Sequence, residues 1–388
     1  MKKRRILPLI MAVIMSAACF TGCDKKGEMR DMTTAEIVND MGVLIMTMTG
    51  KFGINLGNTF ESSGMSLSSV QAYETGWGSP TITQKMIQGY ADSGFGVLRV
   101  PVAWSNLMTG NYDIDHDYLA RVTEVIDWAL DTGMYVIVNI HWDGGWFSRF
   151  ANEEDRDECM YKYERIWTQL SDHFKNYSDY LMFESLNEDG GWEEIWNRSN
   201  GEGDKELSFG ILNDINRKFV DIVRNSGGNN KKRHLLIAGY NTDVELTCDE
   251  LFKMPDDPAG RCAVSIHYYT PPTFAILDKD ASWGKARSEW GTDADYAELN
   301  RNMDLLKTTF IDKGIPVIMG EFGTSTKNKT DEMIRKYLSS VCEAAYIRGV
   351  CPVLWDITGV FYNRLDAKFY DEQLLSDLMA VKELERND

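Results

Sequence analysis

Short runs of apolar residues alternate along the chain with longer stretches in which apolar positions recur every three or four residues. The runs predict strands at Phe52–Leu56, Gly96–Val100, Tyr135–Ile140, Tyr180–Phe183, Leu235–Ala238, Ala263–Ile266, Pro316–Met319 and Cys351–Leu354. The periodic stretches predict helices at Thr81–Ser93, Asp115–Asp131, Glu153–Asn176, Glu206–Asn225, Asp293–Asp312, Thr330–Ile347 and Asp371–Leu384, with only a short connection at Asp243–Phe252. Pro80 stands where the first helix should begin, and Gly133, Gly227 and Gly314 stand where helices should stop. Strands that are apolar throughout are buried on both faces, as in a parallel sheet covered by helices. Eight such strand–helix units in one α/β chain predict a single (β/α)8 TIM barrel. A doubly wound open sheet is the alternative, but it gathers its polar chemistry at one switch point, whereas here polar residues follow nearly every strand.

The N-terminus follows a different pattern. Lys2, Lys3, Arg4 and Arg5 precede an apolar run from Ile6 to Phe20, which reads as a secretory leader over residues 1–22 and is too short to span a membrane comfortably. Phe20-Thr21-Gly22-Cys23 resembles a bacterial lipobox, with Phe20 where Leu is usual, so Cys23 is the expected site of lipidation. Ser16-Ala17-Ala18-Cys19 is a poorer competitor, and plain cleavage would leave a soluble secreted protein. The expectation is an extracellular, cell-surface lipoprotein that meets the membrane only through its anchor, with residues 23–30 as tether and 31–388 as one domain. No Pro/Ser/Thr-rich linker or repeat divides that domain.

Composition narrows the partners. The whole chain carries a formal charge of −18; removing residues 1–22 takes away four positive charges and no acid, giving −18 − 4 = −22. Nucleic acid is therefore not an expected partner. Beyond the leader and Cys23, Cys159, Cys248, Cys262, Cys342 and Cys351 have neither zinc-type nor disulfide-framework spacing, although Cys248 and Cys262 flank one loop and could pair. No H-E-x-x-H, P-loop or G-x-G-x-x-G pattern occurs, so no metal or cofactor is implied, and a monomer is expected.

The chemistry collects just past the strands: Asn58, Arg99, His141 and Asp143, Asn187 and Glu188, His267 and Tyr269, Glu321, then Trp355. A barrel brings all of these to one face. Glycosidic hydrolysis needs two carboxyl groups flanking the bond, and Glu188 and Glu321, after the fourth and seventh strands, meet that need across a barrel mouth. Arg99, a charge inside a buried strand, requires a carboxylate partner and would keep Glu321 ionised. His116, His173 and His234 fall at helix starts, within helices or at a strand start, and read as structural. Trp77, Trp104, Trp142, Trp146, Trp192, Trp283, Trp290 and Trp355 fall in the same loops, where indole faces suit the apolar faces of sugars; Trp142 and Trp355 are the expected sugar contacts.

These stretches resemble glycoside hydrolase family 5, in its endoglucanase and xyloglucanase group. The resemblance rests on Gly53-Ile54-Asn55-Leu56-Gly57-Asn58-Thr59, Glu74-Thr75-Gly76-Trp77-Gly78, Leu98-Arg99-Val100-Pro101-Val102-Ala103-Trp104, Asn139-Ile140-His141, Leu186-Asn187-Glu188, His267-Tyr268-Tyr269, Gly320-Glu321-Phe322-Gly323 and Leu354-Trp355-Asp356. It implies a retaining endo-acting β-1,4-glucan hydrolase with Glu188 as acid/base and Glu321 as nucleophile. It further implies that Asn187 bonds the sugar 2-hydroxyl, that Tyr269 holds the nucleophile, and that Trp355 floors the subsite before the scissile bond, with Arg99, His141 and His267 completing the polar shell. Trp142, Asp189 and Glu61 depart from the pattern, which elsewhere has His, Pro and an Asp-like acid. β-Mannan or xylan is the alternative substrate, and a non-catalytic glycan-binding lipoprotein the alternative class.

Overall fold

The computed structural model describes residues 52–385. The leader, Cys23 and the tether lie outside the described residues. Eight parallel strands close into a barrel in chain order: β1 (Gly53–Asn55), β2 (Val97–Val100), β3 (Tyr135–Asn139), β4 (Leu181–Glu184), β5 (Leu235–Ala238), β6 (Cys262–Tyr268), β7 (Val317–Phe322) and β8 (Cys351–Leu354). Around them lie α1 (Gln84–Asp92), α2 (His116–Asp131), α3 (Arg156–Phe174), α4 (Lys205–Asn225), α5 (Val244–Thr247), α6 (Asp293–Thr309), α7 (Asp331–Tyr346) and α8 (Glu372–Ala380). The closed ring rules out the open-sheet alternative. No described helix is long and apolar enough to cross a membrane.

Helix starts are written by side-chain caps. Thr83, Asp115, Asp204, Asp243, Thr292, Thr330 and Asp371 each accept a backbone N–H from the first turn that follows, each worth about 1 kcal/mol. Pro80 does not start a helix: the chain approaches α1 in extended form and the Thr83 cap begins it. Gly133, Gly227 and Gly314 all take positive φ after helical segments, as expected of stop signals. Cys248 and Cys262 are free thiols, and so are the other three described cysteines.

The barrel interior has two storeys. Val97, Ile137, Met182, Leu236, Ala263, Ile318, Cys351 and Val353 form an apolar plug separate from the main core between strands and helices. Side chains two residues further along a strand share its face, so Arg99, Asn139, Glu184, Ser265 and Gly320 form the storey above. The ladders carry one irregularity. On β6, Ile266 pairs Met319 but His267 pairs Glu321; on β8, Pro352 pairs Met319 but Leu354 pairs Phe322. Both neighbours thus see one extra residue in β7, a bulge at Gly320. It shifts the alternation by one, so Glu321 turns towards the polar storey although Met319 and Phe322 pack outward in the main core.

Candidate active site

The upper storey is organised by Arg99, which is fully buried. Its Nε donates to Glu184 Oε2 at 2.7 Å, Nη1 to Glu321 Oε1 at 2.7 Å and Asn55 Oδ1 at 3.0 Å, and Nη2 to Asn187 Oδ1 at 2.9 Å. Burial alone would favour loss of its proton, but the Glu184 and Glu321 carboxylates hold it cationic. Glu321 receives a second hydrogen bond, from the Tyr269 hydroxyl to Oε2 at 2.8 Å. The Tyr269 hydroxyl is itself held well above its usual range by burial and by Glu321, so it stays a donor.

Glu188 lies in the loop four residues beyond the last residue of β4, and Glu321 sits inside β7 rather than after it. His267, inside β6, joins them. Its Nδ1 is 2.8 Å from Glu188 Oε1 and 3.6 Å from Glu321 Oε2. One ligand-type atom from each of Glu188, His267 and Glu321 lies within 4.8 Å of the others. A cation could in principle use these three groups, but the Arg99 charge already occupies one edge of Glu321. His267 Nε2 is buried and, among the described residues, has no hydrogen-bond partner, so the ring makes its polar contacts through Nδ1, on the side of the carboxylates.

The two acids sit in unlike surroundings. Burial pushes the Glu321 carboxyl up, against the pull of the His267 and Arg99 charges and the Tyr269 hydrogen bond. For Glu188, desolvation is outweighed by the hydrogen bond and charge of His267 together with Arg99, and its carboxyl is held down. Its side chain is 45% exposed, against 6% for Glu321. His141, buried beside Arg99 and His267, is pushed well below the usual histidine range and is neutral at pH 7.

Two hollows of about 470 and 480 Å³ open on this face and share Glu188, Tyr269 and Ile276. The first is walled by His141, Asn187, Glu321 and Trp355, whose indole stacks on the His141 ring at 5.7 Å and 5°. The second, walled by His267, Arg198, Asn241 and Asp243, lies on the other side of Glu188. Arg99, His141, Asn187, Glu188, His267, Tyr269, Glu321 and Trp355 are therefore brought together. Asn58 and Trp142 line neither hollow: the Asn58 backbone N–H binds Glu61, and Trp142 stands 52% exposed against Gly145. Trp104, Trp146, Trp192 and Trp290 are buried in the core and offer no platform. Asn55, Glu184 and Ser265 also belong to the network; for Asn55 and Ser265 a polar residue interrupting an apolar run was the signal, whereas Glu184 is the last residue of its strand.

A cellulase model, glycosyl hydrolase family 5, matches residues 56–359. The chain belongs to this family. Relatives include Endoglucanase A of Ruminococcus albus, 35% identical over 87% of this chain and 87% of its own. The xyloglucan-specific endo-β-1,4-glucanase of Bacteroides ovatus is 33% identical over 84% of this chain and 66% of its own. Among solved structures, a broad-specificity endoglucanase from an uncultured bovine rumen ciliate superposes with TM-score 0.78 at 35% identity, covering 91% of this chain and 99% of its own. A family 5 lichenase from Caldicellulosiruptor sp. F32, in complex with cellotetraose, superposes with TM-score 0.79 at 32% identity, covering 91% of this chain and 96% of its own.

Proposed function

We propose that this family 5 member hydrolyses internal β-1,4-glucan linkages with retention, Glu321 being the nucleophile and Glu188 the acid/base. One observation carries the reading: oxygens of the two carboxyl groups stand within 4.8 Å, the separation of about 5 Å that allows direct attack and leaves no room for a water between. Glu321 Oε2 attacks the anomeric carbon as Glu188 gives its proton to the departing oxygen. Glu188 then takes a proton from water, whose oxygen displaces Glu321 from the sugar.

The first step requires the proton on Glu188 and the charge on Glu321, the reverse of the preference in the empty cleft. Substrate supplies the reversal. Glu188 is the exposed member of the pair, so a sugar lying over it removes water chiefly from that carboxyl and raises its proton affinity. The hollows on either side of Glu188 suit a chain running through the cleft, which supports endo-cleavage. Asn187 and Trp355 in the first hollow receive the sugar left on Glu321.

The test is the product. Proton NMR of the first-formed anomer should show the β form, and an α anomer would exclude the covalent route. Reducing ends released from carboxymethyl-cellulose, mixed-linkage glucan, xyloglucan, mannan and xylan, assayed side by side, should be greatest with the glucans; no release from any would favour a binding protein instead.

Residues 1–22 as leader and Cys23 as lipidated anchor, with residues 23–30 as tether, place the enzyme on the outer surface of the cell. The basic start, apolar run and Thr21-Gly22-Cys23 support this. Cys23→Ala should release the protein from the membrane fraction; unchanged fractionation would exclude the anchor.

A further inference from the structure

Arg99 is shared between two acids. Glu184, the last residue of β4, is fully buried and uses both carboxyl oxygens inside the barrel: Oε2 accepts from Arg99 Nε at 2.7 Å, and Oε1 accepts from the Ser265 hydroxyl at 2.6 Å. It lies beneath the substrate face and lines neither hollow, so it touches no reacting atom. Its effect on the site runs through the guanidinium. With Nε fixed on Glu184, the plane of the fork is set, and Nη1 and Nη2 can point only towards Glu321 and Asn187. The positive charge is also divided. A guanidinium paired to one carboxylate pulls that carboxylate strongly towards the ionised, weakly basic form; paired to two, it pulls each less.

We propose that Glu184 is a positioning residue for the reaction, one that aims the Arg99 fork and draws off part of its charge so that Glu321 keeps the basicity a nucleophile needs. This rests on the reading of Glu321 as nucleophile. The titratable and charged groups facing Glu321 are Arg99 from β2, Glu188 from the loop after β4, and His267 and Tyr269 from β6 and its end. His141 and Lys327 line the same hollow as Glu321, Lys327 being paired with Asp278 at 3.1 Å. Glu184 reaches it only by way of Arg99, so geometry and charge can be separated by two substitutions. E184Q keeps an oxygen for Arg99 and a polar partner for Ser265 but removes the charge; E184A removes both.

The experiment traps the glycosyl-enzyme with dinitrophenyl 2-deoxy-2-fluoro-β-cellobioside and follows its rate against pH by intact mass. That leaving group departs without an acid, so the acid limb reports Glu321. For E184Q the limb should move to lower pH by about one unit, because the full Arg99 charge now falls on Glu321. For E184A trapping should slow about 100-fold through loss of aim. Gln should restore the rate relative to Ala while keeping the displaced limb. An E184Q profile that superimposes on the parent overturns the proposal, and thermal melts of both variants show whether a loss is mere unfolding. If the parent itself is not labelled at Glu321, the nucleophile assignment fails first, and this inference with it.

Discussion

At the scale of single residues, each candidate catalytic group is fixed by at least one short polar contact, and these contacts assign separate costs to separate changes. Tyr269→Phe removes the 2.8 Å hydrogen bond on Glu321 Oε2 and leaves the ring in place. A hydrogen bond to a charged group is worth about 1.5–3 kcal/mol, so kcat/KM should fall about 10- to 100-fold with little change in melting temperature. Steady-state kinetics with a purified glucan decides this, and a change of under threefold would leave Tyr269 without the role given to it. Glu188→Ala should stop polysaccharide hydrolysis but spare the first step for glycosides whose leaving group needs no proton. Dinitrophenyl cellobioside should then give a burst of dinitrophenol followed by slow turnover, because release of the sugar from Glu321 also needs Glu188 as base, whereas cello-oligosaccharide should give no burst. Glu188 and Glu321 were legible because each follows shortly after an apolar run predicted as a strand, although the structure puts Glu188 in the loop beyond β4 and Glu321 inside β7. Glu184 was not, because the apolar reading of its strand stops at Phe183 and a lone acid at a strand end looks like solvent-facing charge.

Among elements, β7 decides most. Its run was read as Pro316–Met319, whereas the strand extends over Val317–Phe322 and contains the bulge. A bulge is defined by pairing with both neighbours, so no property of the run itself discloses it. A Cβ at Gly320 would be tight, 3.1 Å from Ser265 Oγ, 3.2 Å from His267 Nε2 and 3.4 Å from Glu184 Oε1, so these side chains would have to give by a few tenths of an ångström. Gly320→Ala should therefore displace His267 and the Glu184–Arg99 pair, lowering kcat by an order of magnitude or more while KM changes little. At the other end of the barrel, Gly53→Ala would put a Cβ 2.7 Å from Val353 Cγ2 and 3.0 Å from Val97 Cβ. Overpacking of this kind costs about 1–3 kcal/mol. That change should lower the melting temperature with kcat retained, and an equal loss of activity in both variants would contradict the division of labour between the two ends.

For the whole molecule, the eight-unit architecture was legible because the alternation of runs and amphipathic stretches repeats along the entire domain, and every strand was found within a few residues of its place. Several buried acids set the pH response of stability. Burial pushes Glu61 and Asp189 up to about 7 and Asp356 to about 6. Each binds its proton more tightly folded than unfolded, so between about pH 4 and 7 the folded state holds more protons and stability falls as pH rises. Asp257 acts oppositely: despite burial, Arg224 and two backbone N–H groups hold it down at about 2, and its contribution is present above about pH 4 and lost as pH falls towards 2. Thermal melts from pH 4 to 8 should show a melting temperature several degrees higher at pH 5 than at pH 8; a steady rise across that range would mean these carboxyls are ionised in the fold.

The two-storey interior also says where this protein can be remade. Ile137, Leu236 and Ile318 belong to an apolar cluster, and swaps that conserve volume there should be absorbed by local repacking. One storey up, Arg99, Glu184 and Ser265 are tied to one another and to Asn55, Asn187 and Glu321 by hydrogen bonds, so neighbours there cannot drift independently. Libraries aimed at heat resistance belong below that divide, and searches for new substrates belong in the loops above it.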